Sequence, residues 1–348
     1  MRAILLRSPA PLHSQNANLL QIADVPAPVP GDVDLLVSVS VCAVCRTDLD
    51  IAEGRVIAPH YPVIPGHQVV GRVQQTGAGV TDFRNGDRVG VAWINWADGT
   101  CQWCRSGREN LCARFRSTGC DVNGGYAEYM VVPAAFAHSI PDSLSDSEAA
   151  PLLCAGAIGW RSLRLTDLRD GERLGLTGFG ASAHLVLQIA RRVYPSSPVF
   201  VFARSDEERQ FAVELGASWA GDTGDDPPEP LDAIIDTTPA WKPVVEGLRH
   251  LAPGGRFIIN AISKSSRDQN ELLRLDYPTH LWKEREIRSV ANVTRADVRE
   301  MLQTALEAGL RPTIEMFTLE DANRALARLA KGARMRGAMV LKVGGDSA

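Results

Sequence analysis

The chain has 348 residues, 45% of them hydrophobic and 22% charged, and a formal net charge of −4. That length exceeds one ordinary core and predicts two domains of a globular protein. The slight acidity leaves no basic field for nucleic acid, and no apolar run approaches the roughly 18 residues of a membrane span.

The N-terminal stretch MRAILLRSPAPLHSQ has an apolar run of four residues that breaks at Arg7 and Pro9. It does not read as a signal peptide, so the expected compartment is the cytoplasm. There the seven cysteines are expected as metal ligands or free thiols rather than disulfides. VDLLVSVSV (Val33–Val41) nearly alternates apolar and polar residues, the pattern of a half-buried strand. HQVVGRVQQTG and GDRVGVAW follow, each bounded by Gly and Asp turn signals. Short punctuated strands over the first 150 or so residues predict a compact β-rich domain, a partial barrel.

From about Glu172 the rhythm changes. RLGLTG reads as a short apolar strand. ASAHLVLQIARR carries apolar residues at 185, 186, 189 and 190, one face of a helix. VFVFA (Val199–Ala203) is the continuous apolar run of a strand covered on both faces. DEERQFAVELGA reads as a helix closed by Gly216, and GDDPPEP (Gly224–Pro230) as a polar loop. LDAIIDT, a helix near Val244–Leu251 and GRFIINAI continue the alternation, which predicts a parallel, doubly wound sheet. From about Asn292 the chain returns to helices and a closing strand, GAMVLKV. The predicted organisation is 1–154 with 292–348 as one domain and 155–291 as the other.

Between the first strand and helix of the second half lies GFGASA, Gly178 to Ala183, which fits G-x-G-x-x-A. Gly178 serves the tight turn, Gly180 lets the backbone approach a pyrophosphate, and a small Ala183 lets the helix pack on the strand. The helix N-terminus offers N–H groups and a positive dipole to phosphate. The next strand ends at Ala203-Arg204-Ser205. An acidic residue there would hold the ribose hydroxyls of NAD; Asp206 is one step into the following helix, where it reads as a first-turn residue. Arg204 and Ser205 suit a 2′-phosphate instead, which favours NADP over NAD. As plain geometry, Arg204 reads as a solvated loop charge.

Three further stretches carry chemistry: VCRTD (Val44–Asp48), PGHQVVG (Pro65–Gly71) and PLLCAGAIGW (Pro151–Trp160). With them come the cysteine cluster ADGTCQWCRSGRENLC (Ala97–Cys112), GDRV, GGYAEY and the glycine loop. In this order, across essentially the whole chain, they resemble the zinc-dependent alcohol dehydrogenases of the medium-chain dehydrogenase/reductase superfamily.

The resemblance implies a GroES-like catalytic domain joined to a Rossmann coenzyme domain, and two zinc ions per chain. It implies a catalytic zinc on Cys45, His67 and Cys154, with a position left open for water or substrate. Asp48 matches the carboxylate that hydrogen-bonds the ligating histidine and fixes its tautomer. Thr47 matches the hydroxyl that takes the proton of the alcohol. Arg46 is a candidate coenzyme residue, which would offset the charge of Asp50 where it contacts the pyrophosphate. Trp93 matches an aromatic lining the substrate cleft, and as a residue type it equally suits a core. The substrate implied is an alcohol, aldehyde or ketone, and the assembly a homodimer or homotetramer.

Three positions depart from the family pattern. Its structural zinc lobe, C-x2-C-x2-C-x7-C, falls here on Asp98, Cys101, Cys104 and Cys112. A carboxylate oxygen ligates zinc, so an Asp98 site is expected, with a simple Asp98-Gly99 turn as the alternative. Glu after the ligating histidine is replaced by Gln68, which removes a negative charge near the metal. The His that lies five positions after the first cysteine ligand in bacterial relatives is replaced by Asp50, read either as the end of a proton relay or as a residue pointing to solvent. Cys42 and Cys120 are left as packing thiols. Two other readings remain open at this point: a zinc-free quinone or enoyl reductase of the same superfamily, and a catalytically disabled nucleotide-binding sensor.

Overall fold

The computed structural model describes residues 1–12, 18–331 and 336–344; residues 13–15 of the N-terminal stretch read above lie outside them. The chain divides into two compact units, 1–157 with 292–333 and 337–348, and 158–291 with 334–336.

The first unit is built on a seven-stranded sheet. Its order is Ile314–Thr318, Ala338–Lys342, Asp34–Val44, Val69–Thr76, Arg88–Val91 and Ala137–Ser139, with Tyr129–Pro133 also paired to Asp34–Val44. The long strand begins with the expected alternation, Leu35, Val37 and Val39 inward. It runs three residues beyond the sequence reading, to Val44. Residues 41–44 are all buried and pair with 339–342 on one side, so the alternation that marks a half-buried strand disappears there. This extension delivers Cys45 to the N-cap of helix Arg46–Ala52.

The second unit is a six-stranded, wholly parallel sheet. Its order is Trp219–Gly221, Val199–Phe202, Leu174–Thr177, Leu231–Asp236, Leu251–Ile259 and Glu286–Ser289. The first strand in sequence lies in the middle and the winding reverses beside it, so the doubly wound expectation holds. Leu174–Thr177 and Val199–Phe202 are buried throughout, as continuous apolar runs require. Helix Ala181–Val193 buries Leu185, Val186, Ile189 and Ala190. Phe200, Phe202, Leu231, Ile234, Val244, Leu248, Leu251 and Phe257 form a core cluster. The helix expected near Val244–Leu251 spans Lys242–Arg249 instead. Pro243 fits its first turn, and Leu251 already pairs with Leu231 as the next strand begins.

Two buried histidines set an acid limit on this fold. His138 lies in strand Ala137–Ser139, and neither ring nitrogen has a hydrogen-bond partner among the described residues. Burial first, and then the charges of Arg299 and Arg295, push it down to about 3. Burial likewise pushes His184 down to about 4. Both folded values lie below the ordinary value of about 6.5, so the unfolded chain binds more protons. The stability is fully present above that value and is lost as pH falls from there toward the folded values. At pH 5 each histidine should cost about 2 kcal/mol. His138→Leu should therefore lose about 2 kcal/mol less than the parent between pH 7 and pH 5. Urea denaturation at the two pH values checks this; equal losses would remove His138 from the account.

Candidate metal centres and coenzyme loop

Cys45, His67 and Cys154 come from three separate segments, yet one ligating atom from each lies within 4.8 Å of the others. Cys45 directly follows the long strand, His67 precedes strand Val69–Thr76, and Cys154 follows the short helical turn Ala150–Leu153. His67 is fully buried, and its Nε2 has no hydrogen-bond partner among the described residues. Its Nδ1 lies 3.1 Å from Asp48 Oδ1. A buried nitrogen left unpaired is costly unless something binds it. The thiols point the same way. The hydrogen bond with Cys154 holds Cys45 well below the usual thiol range, and the same bond, together with burial, pushes Cys154 well up. A divalent cation between the two sulfurs would hold both as thiolates.

Asp48 organises this cluster. It is fully buried and meets four donors. Oδ1 faces His67 Nδ1 and accepts from Gly66 N at 3.3 Å; Oδ2 accepts from Cys45 N at 2.8 Å and Tyr126 Oη at 3.2 Å. Tyr126 escaped the sequence reading, although it lies in the GGYAEY stretch. Its ring also explains Gly66, whose φ is +95° and where a Cβ would come within 2.4 Å of the Tyr126 ring.

Thr47 is buried, with Oγ1 3.7 Å from the Cys45 sulfur. The Trp93 indole stands edge-on to the His67 ring at 4.9 Å. Its Nε1 donates to Asn292 Oδ1 at 2.9 Å, and Asn292 Nδ2 donates to Asn110 O at 3.1 Å. Nothing in the local sequence marks Asn292 for this task, because both partners are more than 180 positions away. Gln68 is buried, and its Oε1 accepts from Ala155 N at 3.2 Å. The neutral amide thus braces the backbone beside Cys154.

Asp50 does not point to solvent. It is 2% exposed, and its Oδ1 accepts from Arg46 Nε at 3.2 Å and Arg55 Nε at 2.7 Å. That oxygen accepts from two cationic donors, which corrects the solvent reading. Asp50 instead organises two arginines, of which sequence reading found only Arg46. The signal for Arg55 was its i+5 spacing, which no helical pairing rule flags.

The second cluster is also assembled. Ligating atoms of Asp98, Cys101, Cys104 and Cys112 lie within 4.8 Å of one another. The two readings of Asp98 turn out to be compatible. Its Oδ1 accepts the backbone N–H of Thr100 and of Cys101, each at 2.9 Å, which is the turn. At the same time a carboxylate oxygen reaches the three sulfurs. The N–H groups of Cys101 and Thr100 hold the Asp98 carboxyl well below the usual carboxylate range. Cys104 is pushed up to about 12, by burial first and then by the Cys101 sulfur. The base of the lobe is tied down by Glu109, whose Oε1 accepts from Arg295 N at 3.1 Å.

In the second unit, Gly178 has φ +76°, and a Cβ there would meet Thr238 Cγ2 at 2.8 Å. Gly180 is the N-cap of helix Ala181–Val193, and a Cβ there would meet nothing within 4 Å. The helix N-terminus is therefore open on this side, and Ala183 is buried against the sheet. Arg204 is exposed. Ser205 is the N-cap of helix Asp206–Glu214, its Oγ accepting from Glu208 N at 3.2 Å. Its hydroxyl is thus partly committed to the helix rather than free for a phosphate. Arg209, not singled out from sequence, donates to Ala203 O at 2.7 Å and pairs with Asp206.

The alcohol dehydrogenase GroES-like domain family matches residues 31–142. Probable alcohol dehydrogenase AdhA of Mycobacterium tuberculosis is 43% identical over 348 residues, 99% of this chain and 97% of the relative. An alcohol dehydrogenase of Geobacillus stearothermophilus is 33% identical, covering 93% of this chain and 96% of the relative. Among solved structures, a cinnamyl alcohol dehydrogenase of Sorghum bicolor superposes with a TM-score of 0.86 at 28% identity, covering 99% of this chain and 98% of that one. A thermostable alcohol dehydrogenase from Pyrobaculum aerophilum, with cobalt and zinc bound, superposes at 0.85 with 25% identity, covering 98% and 99%. Fold and site together define an α/β oxidoreductase with a GroES-like unit and a Rossmann-like unit. The chain belongs to the alcohol dehydrogenases of the medium-chain dehydrogenase/reductase superfamily.

Proposed function

We propose that this alcohol dehydrogenase is zinc-dependent and prefers NADP, moving hydride reversibly between an alcohol and the coenzyme to give an aldehyde or ketone. The observation that carries the zinc reading is geometric: the buried His67, whose Nε2 has no hydrogen-bond partner among the described residues, has a ligating nitrogen within 4.8 Å of the Cys45 and Cys154 sulfurs. Cys45, His67 and Cys154 would hold the catalytic ion, and Asp98, Cys101, Cys104 and Cys112 a structural one. Zinc at the first site supplies Lewis-acid polarisation of an alcohol or carbonyl oxygen. The coenzyme supplies or accepts the hydride.

The chain's own residues do the rest. Asp48 accepts the Nδ1 proton of His67, which fixes the tautomer and turns the Nε2 lone pair toward the sulfurs. The Thr47 hydroxyl, beside Cys45, takes the alcohol proton. The Trp93 ring walls the His67 side of the site and orients an apolar substituent. The open N-terminus at Gly180 receives the pyrophosphate. Exposed Arg204, with no acid at Ala203, favours a 2′-phosphate.

A homo-oligomer fits the surface. The edge strand Glu286–Ser289 is exposed at every residue. An antiparallel copy centred on Ile287 would set Glu286 against Arg288, a self-complementary charge pair. No helix among the described residues is long and apolar enough to cross a membrane.

Zinc content and alcohol oxidation, measured with NADP and with NAD, test the reading. Two zinc ions per chain and faster turnover with NADP are expected. Arg204→Ala should raise the KM for NADP by roughly 10-fold or more, the worth of a charged hydrogen bond, and barely move that for NAD. Better turnover of the parent with NAD would sink the coenzyme preference. A single zinc, confined to the cysteine lobe, would sink the catalytic-zinc reading.

A further inference from the structure

A buried ion pair lies where the winding of the parallel sheet reverses. Strands Leu174–Thr177 and Leu231–Asp236 are neighbours there, and the carboxyl ends of such a strand pair form the floor of a ligand crevice in doubly wound sheets. Asp236 ends the second strand and is fully buried. Its Oδ1 accepts from Thr177 Oγ1 at 2.6 Å, Thr238 Oγ1 at 2.8 Å and Thr238 N at 3.1 Å. Its Oδ2 pairs with the ammonium of Lys264. Lys264 Nζ also donates to Thr238 O and Ala240 O, each at 2.9 Å, and lies 5.6 Å from the centre of the Trp241 ring. All three ammonium protons are therefore used.

Desolvating an ammonium and a carboxylate is expensive, and an apolar pair of similar volume would often hold a fold as well. The pair fixes a loop. Residues 237–240 leave the sheet over Asp236, and Lys264 clamps two of their carbonyls from the other side. The glycine turn rests on this same loop. At Gly178 a Cβ would strike Thr238 Cγ2 at 2.8 Å and Thr237 Oγ1 at 3.0 Å, so the phosphate-binding backbone has no slack above it. Thr237 N also donates to Thr177 O at 3.0 Å, closing the stack.

We infer that Lys264 is a positioning residue for the coenzyme. Its ammonium, clamped between Asp236 and the carbonyls of Thr238 and Ala240, holds the loop on which the Gly178 turn is seated, and so sets the backbone that receives the dinucleotide. The inference rests on the reading that the 178–183 turn binds NAD(P).

Titration of the whole parent protein with NADPH and NADH, followed by nucleotide fluorescence, comes first. Binding of neither coenzyme would overturn the NAD(P) reading itself. Given binding, Lys264→Met should weaken it by about 10-fold or more and also lower the melting temperature, because Asp236 is left charged and unpaired. The double variant Lys264→Met with Asp236→Asn removes both charges. It should recover most of the melting temperature while coenzyme binding stays weak. Amide exchange of 237–241 in the coenzyme-free protein should be faster in both variants than in the parent. A double variant that recovers stability and binding together would make the pair a fold element only. So would a Lys264→Met protein that melts lower but binds coenzyme as the parent does.

Discussion

Asp48→Asn should weaken zinc binding at the Cys45–His67–Cys154 cluster by roughly 10- to 100-fold, the range seen when the partner of a ligating histidine is changed. Alcohol oxidation should fall with it, and excess zinc should restore part of the rate. The reason lies in the donor count. Four groups donate to or face the Asp48 carboxylate: Cys45 N, Tyr126 Oη, Gly66 N and His67 Nδ1. An amide offers one acceptor oxygen and a donor NH2. Whichever way the substituted amide turns, two donors meet its NH2 group. If these are Gly66 and His67, the imidazole loses the partner that fixes its tautomer. If they are Cys45 and Tyr126, the first turn of helix Arg46–Ala52 loses its box partner. Each buried donor left unpaired costs about 1–3 kcal/mol, so a lower melting temperature should accompany the lost metal. Tyr126→Phe removes one donor and should produce a much smaller change. Metal affinity measured by competition with a chromogenic chelator decides the matter. An Asp48→Asn enzyme with parental zinc affinity would show that the histidine needs no carboxylate here.

The sequence carried the parts of this site that depend on residue type and order, and lost the parts that depend on long-range geometry. The doubly wound unit was legible because its strands are continuous apolar runs and its helices have one apolar face. Val199–Phe202 and Ala181–Val193 needed no tertiary information. The three members of the first cluster were reached only through a family resemblance, since Cys45, His67 and Cys154 show no local spacing of their own. Tyr126 and Asn292 were missed because their work is done across 78 and 199 positions. The burial of Asp50 was hidden for a related reason. Its partner Arg55 is close in sequence but off the helical i+4 row, so only the turn after the helix shows the carboxylate covered rather than pointing to solvent. Nothing in the sequence couples Asp236, in LDAIIDT, to Lys264, 28 positions on, and they become a buried pair only in the fold.

Asp98 is the one position of the lobe where the chain offers oxygen in place of sulfur, and its variants separate turn from ligand. Asp98→Asn keeps an acceptor for the N–H groups of Thr100 and Cys101 but surrenders the negative charge. Asp98→Ala surrenders both, and Asp98→Cys surrenders the turn acceptor while restoring a thiolate. If the carboxylate is a ligand, the Asn and Ala variants should each lose about one zinc per chain, and the Cys variant should keep it. Structural zinc contributes folding energy directly, so the melting temperature should fall by roughly 5 °C or more in the Ala variant and recover in the Cys variant. The unfolding should begin in the lobe, because the cysteines left behind have no cation to hold them as thiolates. The effect need not stop at the lobe. Asn110 O is the acceptor for Asn292 Nδ2, and Asn292 in turn holds the Trp93 indole against His67. A lobe that loses its metal should therefore loosen Trp93 and raise the KM for bulky alcohols more than for small ones. Zinc analysis by emission spectroscopy beside thermal melts gives the primary answer. Asp98→Asn protein with both zinc ions and an unchanged melting temperature would reduce Asp98 to the turn alone, with three thiolates sufficient for the lobe.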